Sequence, residues 1–157
     1  METTLHDGEL ILTNKINYRF NQPQRGDVIT FKSKQDPRKD FIKRIIGLPG
    51  EKVEIGDNTV KIYNKDYPNG FYLDEVYLNK DNKTEPKSYF TQDKAIEIPP
   101  GEYMVMGDNR ENSFDSRDWG TLSKDNIIGK AWFVYWPLER MGDQSSYNSS
   151  GSPPVSC

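Results

Sequence analysis

DFIKRIIGLPGEKVEIGDNTVKIYN, residues 40–64, divides into three short runs separated by two sets of turn residues. The first, Asp40 to Gly47, carries apolar side chains on both of its faces, with Phe41, Lys43 and Ile45 on one and Ile42, Arg44 and Ile46 on the other. Leu48-Pro49-Gly50 turns the chain. The runs EKVEIG and TVKIYN then flank Asp57-Asn58, a pair suited to the left-handed conformations of a tight two-residue hairpin. Three strands within 25 residues predict an antiparallel β architecture.

The same pattern continues in both directions. ELILTN (Glu9 to Asn14) and DVITFK (Asp27 to Lys32) precede it, and FYLDEVYL follows as a further strand or edge segment. Residues 79–94 are polar and read as a long insertion between strands. AIEIPPGEYMVMGD gives strand, Pro-Pro-Gly turn and strand; SKDNIIG suits one helical turn capped by Ser123; KAWFVYWPL is the last strand. No helix-period segment exceeds two turns, so the chain is expected to be mainly β with little helix.

Composition narrows the function. The chain has 157 residues, enough for one domain with a core, and an apolar content of only 34%. Its 12% aromatic content and regular apolar runs argue against disorder. A net charge of −3 offers no basic footprint for nucleic acid. Cys157 is the single cysteine and His6 the single histidine, so neither an internal disulfide nor a Cys- or His-based metal site is expected, and no cofactor is implied. No apolar run is long enough to span a membrane. Residues 142–157, rich in Ser, Gly, Pro and Asn, read as a disordered tail behind a domain of residues 1–141. Tyr18, Phe20, Tyr72, Trp132 and Trp136 divide between core positions and a patch that rests on lipid.

Two places carry chemistry. Lys43 has apolar neighbours along its own strand face, and burial there would favour its neutral amine, with the adjacent Arg44 pushing the same way. Against this stands an edge-strand lysine that reaches water and blocks aggregation. The second place is GDNRENSFDSRDWG, residues 107–120. Such residues also make ordinary solvent loops, with Asp115–Arg117 or Asp108–Arg110 as local ion pairs. A calcium loop starting at Asp108 fails on spacing, because Arg110 stands where Asp or Asn is required. His6 and Asp7 beside Gly8 suit a surface turn better than a triad with some serine.

Four ordered blocks, METTLHDGELILTNK, RGDVITF, FIKRIIGLPGEKVEI and GDNRENSFDSRDWG, closely resemble the boxes of bacterial type I signal peptidases, and IIGKAWFVYWPL resembles the usual final strand. The resemblance covers residues 1–141 and implies an antiparallel signal-peptidase-like β fold. It also implies a Ser-Lys endopeptidase that removes signal peptides from preproteins at Ala-x-Ala sites, on the extracytoplasmic face of the bacterial cytoplasmic membrane, beside the lipid surface. It assigns Lys43 as general base and Ser113 as the hydroxyl that orients it. Arg44, Asp108, Asn109, Asp115 and Arg117 support the site, with Arg44 paired to Asp115 and Trp119 covering the back. Met1, Leu5, Asp40, Phe41 and Ile42 are candidate substrate contacts, and the peptide is expected to add to the exposed edge at residues 40–43. The family nucleophile is the serine directly before Met1, so it and the membrane anchor are expected to be missing through truncation, leaving the chain inactive as given; Thr3 also replaces a proline. A catalytically dead, peptide-binding relative is the alternative. A carbohydrate or adhesion module would not need Lys43 against the 107–120 loop, and a repressor-type autoprotease would need a DNA-binding helical region.

Overall fold

The computed structural model describes residues 10–14, 21–33, 36, 38–79 and 81–134. Met1, Leu5, the His6–Asp7 pair, Tyr18, Phe20, Trp136 and the 142–157 segment lie outside them, as does the side chain of Trp132.

The strands are β1 (Leu10–Asn14), β2 (Val28–Lys32), β3 (Asp40–Gly47), β4 (Lys52–Gly56), β5 (Thr59–Tyr63), β6 (Phe71–Tyr72), β7 (Ile96–Glu97), β8 (Glu102–Met106), β9 (Leu122–Ser123) and β10 (Ile127–Val134). A six-stranded sheet runs β1-β10-β2-β3-β8-β9 and a four-stranded sheet runs β6-β5-β4-β7, with antiparallel pairing throughout both. The only helical pieces among the described residues are α1 (Ser116–Trp119) and a 3-10 turn, Lys124–Asn126, whose N-cap is Ser123 as expected. The last strand starts earlier than the sequence suggested, at Ile127, because the capped turn ends there and Ile127 already pairs with Phe31.

Strand β3 is the hinge of the architecture. Ile45 joins Ile29, Phe31, Tyr103, Val105 and Leu122 in one core, while Ile46 joins Val53, Ile55, Val60, Ile62, Met104 and Met106 in the other. The large sheet is therefore buried on both faces over β3 and β8, which explains the near-continuous apolar run at Ile45-Ile46. The small sheet covers one of these faces. Gly47 permits the close approach: a Cβ there would stand 2.8 Å from Val53 Cγ2, and the β3–β8 register slips at this point. The β4–β5 hairpin turns at Asp57 and Asn58 with φ of 47° and 62°, as their residue types predict.

Of FYLDEVYL only Phe71–Tyr72 forms a strand. The described residues of 73–95 form no named strand or helix, and they meet the small sheet through a bridge between Ile55 and Gln92, through Leu73 N–H to Val60 O at 2.9 Å and Asp93 N–H to Ile55 O at 3.2 Å, and through Leu73, Tyr77 and Phe90 in its core. The expected insertion, residues 79–94, lies within this stretch, and it is not a peripheral loop.

Candidate active site

Pairing with β2 sets Lys43 opposite Ile29 and Arg44 opposite Val28. On its other side β3 pairs with β8 only from Arg44 onward, where Arg44 faces Met106. The chain leaves β8 at Gly107, so among the described residues no strand covers residues 40–43 on this side. An open backbone edge thus ends beside Lys43.

Gly107 brings the two expected groups together. A Cβ placed on it would lie 2.7 Å from Ser113 Cβ and 3.2 Å from Lys43 Nζ, and would collide with Ser113 Oγ. The serine hydroxyl and the lysine amine therefore both pack against the bare Cα of Gly107. Ser113 is buried, and its hydroxyl completes no well-formed hydrogen bond, although it lies close enough to Asp115 to favour that carboxylate's charged form. The hydroxyl is beside the amine but not bonded to it here.

Burial holds the Lys43 amine below the ordinary lysine range. The carboxylates of Asp115 and Asp108 oppose this, while Arg117 and Lys87 reinforce it. Each carboxylate has its own arginine. Asp115 accepts from Arg117 Nε and Nη2, both at 2.9 Å, and from the backbone N–H of Gly107 and Arg117 at 3.1 Å. It is also the N-cap of α1, in a capping box with Asp118. Burial alone would push its carboxyl up, but these donors bring it below the usual aspartate value. Asp108 accepts from Arg44 Nε at 2.9 Å and Nη2 at 2.7 Å.

The expected Arg44–Asp115 pair is thus replaced by Arg44–Asp108. Strand alternation supplies the reason: Arg44 points away from Lys43, toward Tyr77, whose ring centre is 4.0 Å from its guanidinium carbon. Asp115 stays with Lys43 because α1 needs its cap there. Asn109 shapes the turn by accepting from the Asn112 N–H at 3.2 Å. Asp40 is exposed and pairs with Lys32 at 2.6 Å; Phe41 meets Phe31 edge-on at 6.1 Å; Ile42 is half-buried. Trp119 also packs against Phe31, 6.0 Å between ring centres, so it anchors the end of the loop in a core.

Several participants were not singled out from the sequence. Arg110 is fully buried and donates to Gly107 O at 3.1 Å, to Thr84 Oγ1 at 2.8 Å and to Glu75. Asn82 brackets the turn, donating to the Asp108 carbonyl and accepting from Arg110 N–H. Lys87 Nζ donates to the Ser113 carbonyl and pairs with Asp118 at 3.1 Å. All but Arg110 come from the stretch between β6 and β7, whose polar residues read the same whether they face water or a buried loop. Arg110 did leave a signal, since a cation in a turn that buries itself needs a carboxylate from elsewhere.

No cluster of His, Cys, Asp and Glu suited to a metal occurs among the described residues. A concavity of about 520 Å³ beside β4 and β5, lined by Lys52, Glu54, Tyr63 and Asn64, shares no residue with the Lys43 cluster.

Residues 1–136 match the family model described as signal peptidase, peptidase S26. Signal peptidase IB of Staphylococcus aureus strain Mu50 is 38% identical over 149 residues, covering 88% of this chain and 74% of that protein. A probable signal peptidase I-2 of Synechocystis is 35% identical over 147 residues, covering 90% of this chain and 62% of its own. The crystal structure of a signal peptidase I from Enterococcus faecalis V583 is 38% identical, with a TM-score of 0.56, and covers 70% of this chain and 97% of that one. An open strand edge ending at a desolvated lysine, within a fold and sequence shared this widely, has one origin: the chain belongs to the signal peptidase family, peptidase S26.

Proposed function

We propose that this chain is the catalytic domain of a serine endopeptidase that removes signal peptides from exported preproteins, with Lys43 as its general base. The observation that carries this reading is the Lys43 amine, half-buried, lowered in pKa by desolvation, beside the Ser113 hydroxyl and at the end of an unpaired strand edge.

The nucleophile in this reading is a serine directly before Met1. Neutral Lys43 takes its hydroxyl proton as Oγ bonds to the scissile carbonyl carbon. The resulting ammonium gives that proton to the leaving nitrogen as the C–N bond breaks, and water then hydrolyses the ester with the same amine as base. Ser113 keeps the amine aimed between these steps. The substrate lies extended along residues 40–43, where backbone groups of β3 complete a ladder. Phe41 and Ile42 favour small side chains of the Ala-x-Ala kind, and Asp40, Met1 and Leu5 complete the contacts. No described helix is long and apolar enough to cross a membrane. Membrane attachment, with catalysis on the extracytoplasmic face, is part of the proposal.

The test is a chain extended upstream by a segment ending in serine, assayed in detergent against a peptide bearing Ala-x-Ala, beside the same protein with Lys43→Ala. Cleavage after the second alanine that disappears with the lysine is expected. A folded, peptide-binding protein that never cleaves would overturn the reading in favour of an inactive peptide-binding relative.

A further inference from the structure

We propose that Lys87, from the segment between β6 and β7, is a positioning residue for the reaction: it fixes the Ser113 main chain and Asp118, the capping-box partner of Asp115, and through them the placement of the Ser113 hydroxyl beside Lys43. The inference rests on Lys43 being the base.

The need for such a residue follows from the orphaned hydroxyl. Ser113 Oγ has no well-formed hydrogen bond to hold it, so its place is set by its own backbone and by packing on Gly107. Lys87 Nζ donates to the Ser113 carbonyl and, at 3.1 Å, to Asp118 Oδ2. The same Asp118 oxygen accepts from the Asp115 N–H at 3.2 Å. One ammonium therefore clamps both the residue that carries the hydroxyl and the carboxylate that accepts from the N-cap Asp115. The clamp is itself anchored: Lys87 N–H donates to Phe90 O at 2.9 Å, and Tyr89 N–H to Arg117 O at 2.8 Å, docking this turn of the insertion on α1. The ion pair is mostly shielded, with side chains 27% and 19% exposed, so it is screened less than a surface pair.

Lys87 also contributes charge. The groups facing Lys43 are Asp115 and Arg117 from the loop and α1, Asp108 from the turn after β8, and Lys87 from the insertion. Asp108 and Asp115 are each paired with an arginine, and Lys87 adds a further cation that acts with Arg117 to lower the Lys43 pKa. Its presence favours the neutral amine. Removing it would leave more Lys43 protonated at a given pH, costing activity on the acid side of the profile and restoring it at higher pH.

The experiment uses the serine-extended chain with Lys87→Met, Lys87→Arg and, as a control, Lys43→Met, with kcat and KM followed across the neutral and alkaline range. The expected result for Lys87→Met is a kcat loss of about tenfold at neutral pH with KM changed less than about twofold, and an acid limb moved to higher pH. Lys87→Arg, which keeps the charge and the donors, should return the limb to its original position. A ¹³C NMR titration of the Lys43 side chain should move in the same direction in the unextended chain, without any reliance on turnover. A Lys87→Met profile superimposed on the parent, with Lys43→Met inactive, overturns the role of Lys87 alone. Lost activity without a moved limb and without rescue by arginine also overturns it, leaving a merely structural clamp. An active Lys43→Met removes the base reading and this inference with it.

Discussion

Replacing Gly107 with alanine tests the centre of the site with one added methyl. The new Cβ would lie 2.7 Å from Ser113 Cβ and 3.2 Å from Lys43 Nζ. A rotamer change of Ser113 does not relieve this, because its Cβ moves only with the backbone. That backbone is held by Lys87 at the Ser113 carbonyl, and Gly107 is itself pinned by its N–H to Asp115 and its carbonyl to Arg110. The loop has to shift by something approaching an ångström. Overpacking of this kind costs about 1–3 kcal/mol, or roughly 3–10 °C in Tm for a chain of this size. Catalysis suffers more, since a misplacement of about 1 Å between reacting groups costs about 100-fold, close to 2.7 kcal/mol at the transition state. The assay is kcat for an Ala-x-Ala peptide in the serine-extended Gly107→Ala protein, with Tm from calorimetry. Activity within about threefold of the parent, at unchanged Tm, would refute the packing of Ser113 and Lys43 on this glycine.

Two further outcomes follow from the charges. Lys43→Met should raise Tm, because it removes an amine that pays for burial whenever it is charged. The folded-state pKa of Lys43 lies below its ordinary 10.5, so the unfolded chain binds more protons between the two values. Parent stability therefore gains with rising pH across that window, and the Tm advantage of Lys43→Met should shrink there, which melting curves at several pH values will read. Arg44→Ala should destabilise the protein in urea unfolding by about 3–5 kcal/mol, as it removes both guanidinium bonds from the buried Asp108 carboxylate; Arg44→Lys should recover only part, having one donor centre where the guanidinium offers a fork.

The strands were legible wherever burial was regular. The short apolar run in Asp40–Gly47, bounded by turn residues, and the Asp57-Asn58 pair placed β3 and the β4–β5 hairpin, because run length and turn conformation are local properties. Lys43 and Ser113 came from motif resemblance, and the structure brings them to one glycine. The choice between Asp108 and Asp115 as the partner of Arg44 was not legible. Both aspartates lie in one loop, and only the three-dimensional path of that loop decides which lies on the Arg44 side of β3. The contribution of residues 73–95 was hidden for a different reason. Glu75, Asn82 and Lys87 look like solvent-loop residues, and nothing in a single sequence distinguishes a polar side chain facing water from one satisfying Arg110 or the Ser113 carbonyl.

The polar density of residues 107–120 has a physical purpose beyond shaping a turn. A lysine with two aspartates nearby would ordinarily remain an ammonium, held by its salt bridges and useless as a base. Here Asp115 is bound by Arg117 and Asp108 by Arg44, each through two guanidinium nitrogens, and among the described residues no ion pair includes Lys43. The carboxylates are still needed, one to cap α1 and hold Gly107, the other to bridge β3 to the turn after β8. Each carboxylate is engaged by its own arginine, and desolvation, the largest influence on Lys43, decides the direction of its shift. The indole of Trp119 belongs to the same solution: it fixes the far end of the loop in an apolar core, so the pairs keep their geometry without drawing on Lys43. A site built this way surrounds one desolvated lysine with four charged side chains that satisfy one another.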